Sequence, residues 1–289
     1  MKASSFAPGH ISGFFEPIYR QNDVSRSGSR GSGINVSLGA ISEVFVKSSL
    51  KQRIKIYINN KLSKAPVSNL AIRHLICNAA LDVTVRTQLQ LPIGQGFGMS
   101  GAGALSATTA LAELLKIPKA EAIKTAHFAE VQLLTGLGDV IASSFGGIEI
   151  RREAGLPPWG MIEHIPGKYE IVLCVVGEKI DTKEVLSNPN KINEIASYGR
   201  YCTQKIIEHP SVENLFSLSQ MFTLKTGLGE KKVLEAIESA NNHGMASMCM
   251  LGNSVFAMGN TNKLFETLSS FGKTYMCSVS EEGVFILNK

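Results

Sequence analysis

Long apolar runs are missing from this sequence of 289 residues: the longest purely apolar stretch, residues 171–176, is far short of the roughly 20 residues needed to span a bilayer. Charge of one sign is never concentrated either. Arg151-Arg152 and Lys231-Lys232 come nearest, so a basic arm of the kind that grips nucleic acid is excluded. Cysteine is sparse: Cys77, Cys174, Cys202, Cys249 and Cys277 are odd in number and widely spaced, giving neither zinc-type spacing nor a disulfide framework, as a reducing cytoplasm would have it. The first ten residues carry no apolar segment of the secretory kind, so a cytoplasmic protein is expected. Ten prolines beside 27 glycines, with 44% hydrophobic and 18% charged residues, exclude collagenous and disordered chains.

What remains is a globular chain of about two domains. Its net charge of +5 suits an anionic small-molecule substrate and no membrane or nucleic-acid partner. Residues 4–7, 34–38, 41–47 and 54–58 read as strands, 67–81 as a helix and 83–91 as another strand. The Ser/Gly-rich stretch 25–33 is compatible with a floppy linker or with backbone that approaches a ligand closely. Helices are expected over 104–115 and from Pro118 to about 134, then a short helix and a strand at 147–152. The polar, proline-bearing stretch 153–168 is the candidate boundary between residues 1–160 and 161–289. Beyond it the pattern predicts strands at 170–176, 246–251, 255–258, 274–279 and 284–287, with helices over 183–242 and 262–271.

The strongest local signal is a strand, a glycine loop and a helix: Gly94-Gln95-Gly96-Phe97-Gly98-Met99-Ser100-Gly101-Ala102-Gly103 precedes an Ala/Leu-rich segment. Successive glycines let N–H groups converge on an anion, and the helix N-terminus behind them adds about half a positive charge. Residues 96–101 match GxGxxG, but the first helix is followed by another helix rather than by the second strand of a dinucleotide fold. Gly272-Lys273-Thr274 lacks the earlier glycine of a Walker loop, and Ala102 spoils an esterase elbow.

Together with Pro92, this loop resembles the phosphate loop of the GHMP kinase superfamily. Ala7-Pro8-Gly9-His10 is similar to that family's N-terminal motif, and residues 243–254 occupy the place of its C-terminal glycine-containing motif. Within the superfamily, Pro8-Gly9-His10 with Gly13-Phe14-Phe15, the segment 28–33 and Leu251-Gly252-Asn253-Ser254 look like the archaeal-type pantoate kinases. The resemblance spans nearly the whole chain. Two departures stand out: His10 replaces a Lys common in the superfamily, and Met99 replaces the first Ser of the loop.

The resemblance implies an α+β fold: an N-terminal sheet-and-helix nucleotide domain and a C-terminal ferredoxin-like domain. It implies phosphoryl transfer from ATP with Mg²⁺ to the alcohol of a small molecule such as pantoate, and it allows a homodimer. ATP would sit on Pro92, Gly94, Gly96, Phe97, Gly98, Met99, Ser100, Gly101 and Ala102. Glu130 lies about 20° from Ile123 around its helix, near the centre of the apolar stripe, where a carboxylate needs a partner; the resemblance makes that partner a metal shared with Ser100. Asp139 reads either as a helix N-cap or, by the resemblance, as the carboxylate facing the acceptor hydroxyl. Arg30 is a candidate for a substrate carboxylate because a guanidinium matches it with two bonds, and Ser29, His10, Gly252 and Asn253 are further substrate candidates. Another small alcohol (homoserine, shikimate, mevalonate) as acceptor, and a non-catalytic nucleotide sensor, stay open as alternatives.

Overall fold

Two long antiparallel strands, β1 (Lys2–Ile18) and β2 (Gly28–Ser48), organise the first half of the chain. Residues 1–288 are described in the computed structural model. β1 is buried on both faces over most of its length, which is why no alternation marks it beyond Ala7. The Ser/Gly-rich stretch is not a linker: from Gly28 onward it is strand. Cβ atoms on Gly31 and Gly33 would collide with the Phe14 and Ile11 carbonyls, so small residues let β1 and β2 cross at close range.

There follow β3 (Arg53–Ile58), β4 (Lys61–Ser63), α1 (Pro66–Ile76), β5 (Leu81–Leu89), α2 (Met99–Leu115), α3 (Lys119–Gln132), α4 (Asp139–Phe145), β6 (Ile148–Glu153) and β7 (Met161–Ile165). These strands form one sheet in the order β4-β3-β5-β2-β1, and β6 pairs with the N-terminal half of β2 and carries β7 at its other edge. The stretch 153–168 therefore holds a strand of the first sheet rather than connection alone. α2 starts at Met99, five residues ahead of the expected helix start at 104, because Gly101 and Gly103 are packing positions rather than breakers.

The second half runs β8 (Glu170–Val175), α5 (Thr182–Leu186), α6 (Pro189–Glu208), α7 (Val212–Thr226), α8 (Lys231–Ala240), β9 (Gly244–Met248), β10 (Ser254–Gly259), α9 (Thr261–Ser269) and β11 (Lys273–Ser278). Its sheet order, β11-β8-β10-β9, is antiparallel throughout and is that of a βαββαβ, ferredoxin-like unit with extra helices in the first crossover. The last strand, β12 (Phe285–Asn288), leaves this unit and pairs with β1. A single apolar cluster runs from Ile11, Phe14 and Ile34 into Phe216, Phe222 and Phe256, so α6 and α7 pack on β1 and the two sheets share a core.

His127 on α3 pins the turn that leads into β2: its Nε2 donates to the Ser27 and Val24 carbonyls at 3.0 and 3.2 Å. Burial is the main reason its pKa falls to about 4. Protons then bind the unfolded chain in preference to the folded one between pH 6.5 and 4, and stability falls as pH falls through that window. His10, whose pKa is raised, acts above 6.5, so the two windows do not overlap. Going from pH 6.5 to 5, the parent protein should lose about 2 kcal/mol more than His127→Gln in urea unfolding. Taking the difference cancels Glu130, whose raised pKa works in the opposite sense in the same window. Equal pH slopes for the two proteins would refute the assignment.

Candidate active site

A cavity of about 540 Å³ opens where the two halves meet. Its floor is the glycine loop, its sides include Ser12, Ser29 and residues 135–139, and residues 179–183 form its roof. The loop needs its glycines, since Gly94, Gly96 and Gly98 have φ of 78°, 71° and 61°. Gly98 caps α2 without a side-chain bond, and the first helical hydrogen bond is Ala102 N to Gly98 O at 2.9 Å. The N–H groups of Met99, Ser100 and Gly101 thus have no partner within the helix, and a helix N-terminus adds its partial positive charge to them.

The loop is braced by the two other glycine-bearing motifs. His10 N donates to Phe97 O at 3.1 Å from the β1 bulge at Pro8-Gly9. Ser254 Oγ donates to Gln95 O at 2.6 Å, and a Cβ at Gly252 would collide with Gln95. Asn253 is buried, with Nδ2 bonded to Glu178 O and Glu230 Oε1 at 3.0 and 2.8 Å. Gly252 therefore braces the loop from behind and Asn253 holds the 176–178 segment, and neither lines the cavity, while Met250 and Leu251 beside them do.

Two carboxylates meet on the far side of the loop. Glu130 on α3 is buried, and its Oε1 has no hydrogen-bond partner. A Cβ at Gly136 would come within 2.7 Å of both Glu130 Oε1 and Asp139 Oδ2, which places the two acids on one spot. Burial, then the charge of Asp139, drives the Glu130 carboxyl well above the usual carboxylate range. Asp139 is the first residue of α4, yet its side chain does not cap the helix; Gly138 is the capping residue. Ser100, in the first turn of α2 and half-buried, lines the same cavity. Among the described residues no cluster of three or more His, Cys, Asp or Glu side chains could hold a metal unaided. Two hard-oxygen acids with a hydroxyl suit Mg²⁺, which commonly takes its other ligands from phosphate and water.

His10 departs from its expected place. It is fully buried and does not itself line the cavity, but packs behind the lining residues Phe97 and Asp139. Its Nδ1 lies 2.7 Å from Asp139 Oδ1 and its Nε2 3.1 Å from Glu149 Oε1. Burial lowers the imidazole pKa, but the Glu149 charge and the bonds to Asp139 and Glu149 outweigh it and raise the net value. With a carboxylate oxygen facing each ring nitrogen, both donate, so Arg151 Nη1, 3.2 Å from Nε2, is a neighbour sharing the Glu149 carboxylate rather than a donor to the ring. Arg151 also donates from Nη2 to Ser12 Oγ at 3.2 Å, and its buried Nε has no partner.

The other candidates divide. Ser29 lines the cavity beside Gly138. Arg30 points elsewhere: Nε donates to Arg152 O at 2.6 Å and Nη1 to Glu16 Oε2 at 3.2 Å, and it lies outside the cavity lining. Phe97 and Met99 contribute to the lining although both are largely buried; Pro92, Gly101 and Ala102 flank the loop without lining it. Sequence reasoning passed over Arg151 and Glu149. Their one visible signal is opposite charge two residues apart on a strand, which puts both on one face.

Residues 55–147, which hold the glycine loop and both acids, match the GHMP kinases N terminal domain. The chain is 34% identical to a pantoate kinase of Methanocaldococcus jannaschii over 278 residues, covering 95% of this chain and 99% of the relative. It is 32% identical to a pantoate kinase of Methanospirillum hungatei, covering 99% and 96%. Among solved structures, one described as a phosphotransferase related to the CoA biosynthesis pathway superposes with a TM-score of 0.90 at 27% identity, covering 100% of this chain and 99% of the other. Identity at this level along almost the whole of both chains means that the chain belongs to the GHMP kinase family, alongside these pantoate kinases.

Proposed function

We propose that this chain transfers the γ-phosphoryl group of ATP to the primary hydroxyl of (R)-pantoate, giving 4-phosphopantoate and ADP. The observation that carries the reading is the juxtaposition of two acids, one free buried oxygen and a glycine-built helix N-terminus around a single cavity. The N–H groups of Met99 and Ser100 hold the phosphate tail, with Gly101 completing the positive helix end behind them and Gly94, Gly96 and Gly98 shaping the turn. Ser100 and Glu130 are the residues that would hold Mg²⁺, whose chemistry is to offset the phosphate charge. Asp139 takes the proton of the attacking hydroxyl, and His10 fixes the carboxylate through its Oδ1. Positioning and fixed charge supply most of the acceleration.

Pantoate carries a carboxylate and two hydroxyls. Ser12 and Ser29 offer hydroxyl partners on the cavity wall, and Arg151 lies behind them with an unused Nε–H. Arg151 thus replaces Arg30 as the cation of the acceptor end. The proposed units, 1–160 and 161–289, divide the labour: the loop and both acids come from the first, and the cavity roof from the second. No described helix is long and apolar enough to cross a membrane, and a cytoplasmic, small-molecule role goes with this reading.

A panel of pantoate, homoserine, shikimate and mevalonate with ATP and Mg²⁺ tests the reading. Pantoate is expected to exceed every other acceptor in kcat/KM by 100-fold or more, on the order of what lost polar contacts impose. Another acceptor matching pantoate, or turnover on none, would overturn it.

A further inference from the structure

The cavity has a charge imbalance. Asp139 and Glu149 are balanced by His10 and Arg151, so Glu130 is the acid left to face Mg²⁺, and a bound triphosphate would bring about four negative charges against that ion and the half charge of the α2 N-terminus. His10 and Arg151 cannot reach the nucleotide, since both are buried and committed to Glu149 and Asp139. Arg30 is committed to Glu16. The described cations that line the cavity are Lys179 and Lys183, both exposed and neither engaged in an ion pair.

Lys179 is the one built against the loop. The backbone around it is tied down on both sides: Gln95 Nε2 donates to Gly177 O at 3.0 Å, and Ile180 N donates to Gly94 O at 3.2 Å. Asn253 Nδ2 holds Glu178 O at 3.0 Å. The stem of Lys179 lies across Gly94, where an added Cβ would come within 3.0 Å of its Cβ and 3.6 Å of its Cδ. Lys183 sits instead on α5, where its backbone N–H donates to the capping Asp181 Oδ1 at 3.0 Å, and nothing among the described residues seats its side chain against the loop.

We propose that Lys179, carried on the β8–α5 connection, is the side chain that neutralises the phosphate tail of the nucleotide and so selects nucleoside di- and triphosphates over the bare nucleoside. The proposal rests on the kinase reading above. A long flexible ammonium suits this task, acting as a point charge on phosphate whose position shifts as the γ-group leaves.

The test is calorimetric titration of ADP with Mg²⁺ into the parent, Lys179→Met, Lys179→Arg and Lys183→Met proteins, beside the KM values for ATP and pantoate. Methionine keeps the stem and removes the charge. Lys179→Met is expected to weaken ADP about 10-fold, to raise the KM for ATP by a similar factor and to leave the KM for pantoate within twofold. Lys179→Arg should recover most of the loss, and Lys183→Met should stay within twofold of the parent. Inhibition by adenosine, which has no phosphate, should be equal in parent and Lys179→Met. Unchanged ADP binding in Lys179→Met, an equal loss for adenosine, or a larger effect at Lys183 would each overturn the proposal. A parent protein that binds no ADP would instead overturn the kinase reading on which it rests.

Discussion

Asp139→Asn should fold like the parent and lose between about 10² and 10⁴ in kcat, with KM for ATP and pantoate within about threefold. The substitution keeps size and shape and leaves an oxygen for His10 Nδ1, now 2.7 Å from Oδ1. What it removes is the lone carboxylate pair that can accept the hydroxyl proton. Stability should change little because two terms oppose each other. The imidazole of His10 loses a charged partner, while Glu130 loses the neighbouring negative charge that raises its pKa. A residue that merely started α4 would tolerate Asn, a good helix-start residue, with no loss of rate. Steady-state turnover by ADP release, beside far-UV circular dichroism, separates the two cases. Turnover within threefold of the parent would remove Asp139 from the chemistry.

The loop was legible in the sequence because three of its positions demand φ values that only glycine adopts without strain. Glu130 was legible for a different reason, as a carboxylate on an apolar helical stripe must have a partner. The ferredoxin-like order of the second half was foreseen from the family resemblance, and the strand order β11-β8-β10-β9 agrees with it. What local pattern missed has a common physical cause. β1 beyond Ala7 and the start of β2 are buried on both faces, so the period of two vanishes and small residues mimic a loop. His10, opposite Asn35, and Arg30, opposite Glu16, lie on these strands, but sequence does not say toward which neighbour such side chains turn. One turned into a carboxylate network and the other to Glu16.

The site also explains why that network was invisible. On β6, Ile148 and Ile150 alternate with Glu149 and Arg151, a pattern that ordinarily marks one apolar face and one wet face. Here the polar face is sealed against β1, with Glu149 and Arg151 almost fully covered. The charges are balanced as a set: Arg151 and the His10 imidazolium against Glu149 and Asp139. Such a set adds little net stability compared with apolar packing, but it holds Asp139 in one orientation, which is what a proton-accepting carboxylate needs.

Arg151→Met is expected to cost about 3–5 kcal/mol of unfolding free energy, whereas Arg152→Met, one residue along, should cost less than about 1 kcal/mol. The two arginines are adjacent in sequence and opposite in environment. Arg152 Nη1 meets Glu163 Oε1 at 2.5 Å between side chains that are 38% and 45% exposed, where water and salt screen the pair. Arg151 has 1% of its side chain exposed, and its loss leaves Glu149 buried with His10 alone to balance it. Adding Glu149→Gln to Arg151→Met should recover a large part of the loss, because the uncompensated charge is what destabilises the single variant. Urea unfolding of the five proteins, Glu149→Gln alone included, with the slope unchanged across the set, measures these differences. If Arg151→Met and Arg152→Met shifted the midpoint equally, or if the double variant were simply the sum of its parts, the buried network would not be the element that holds His10 and Asp139 in place.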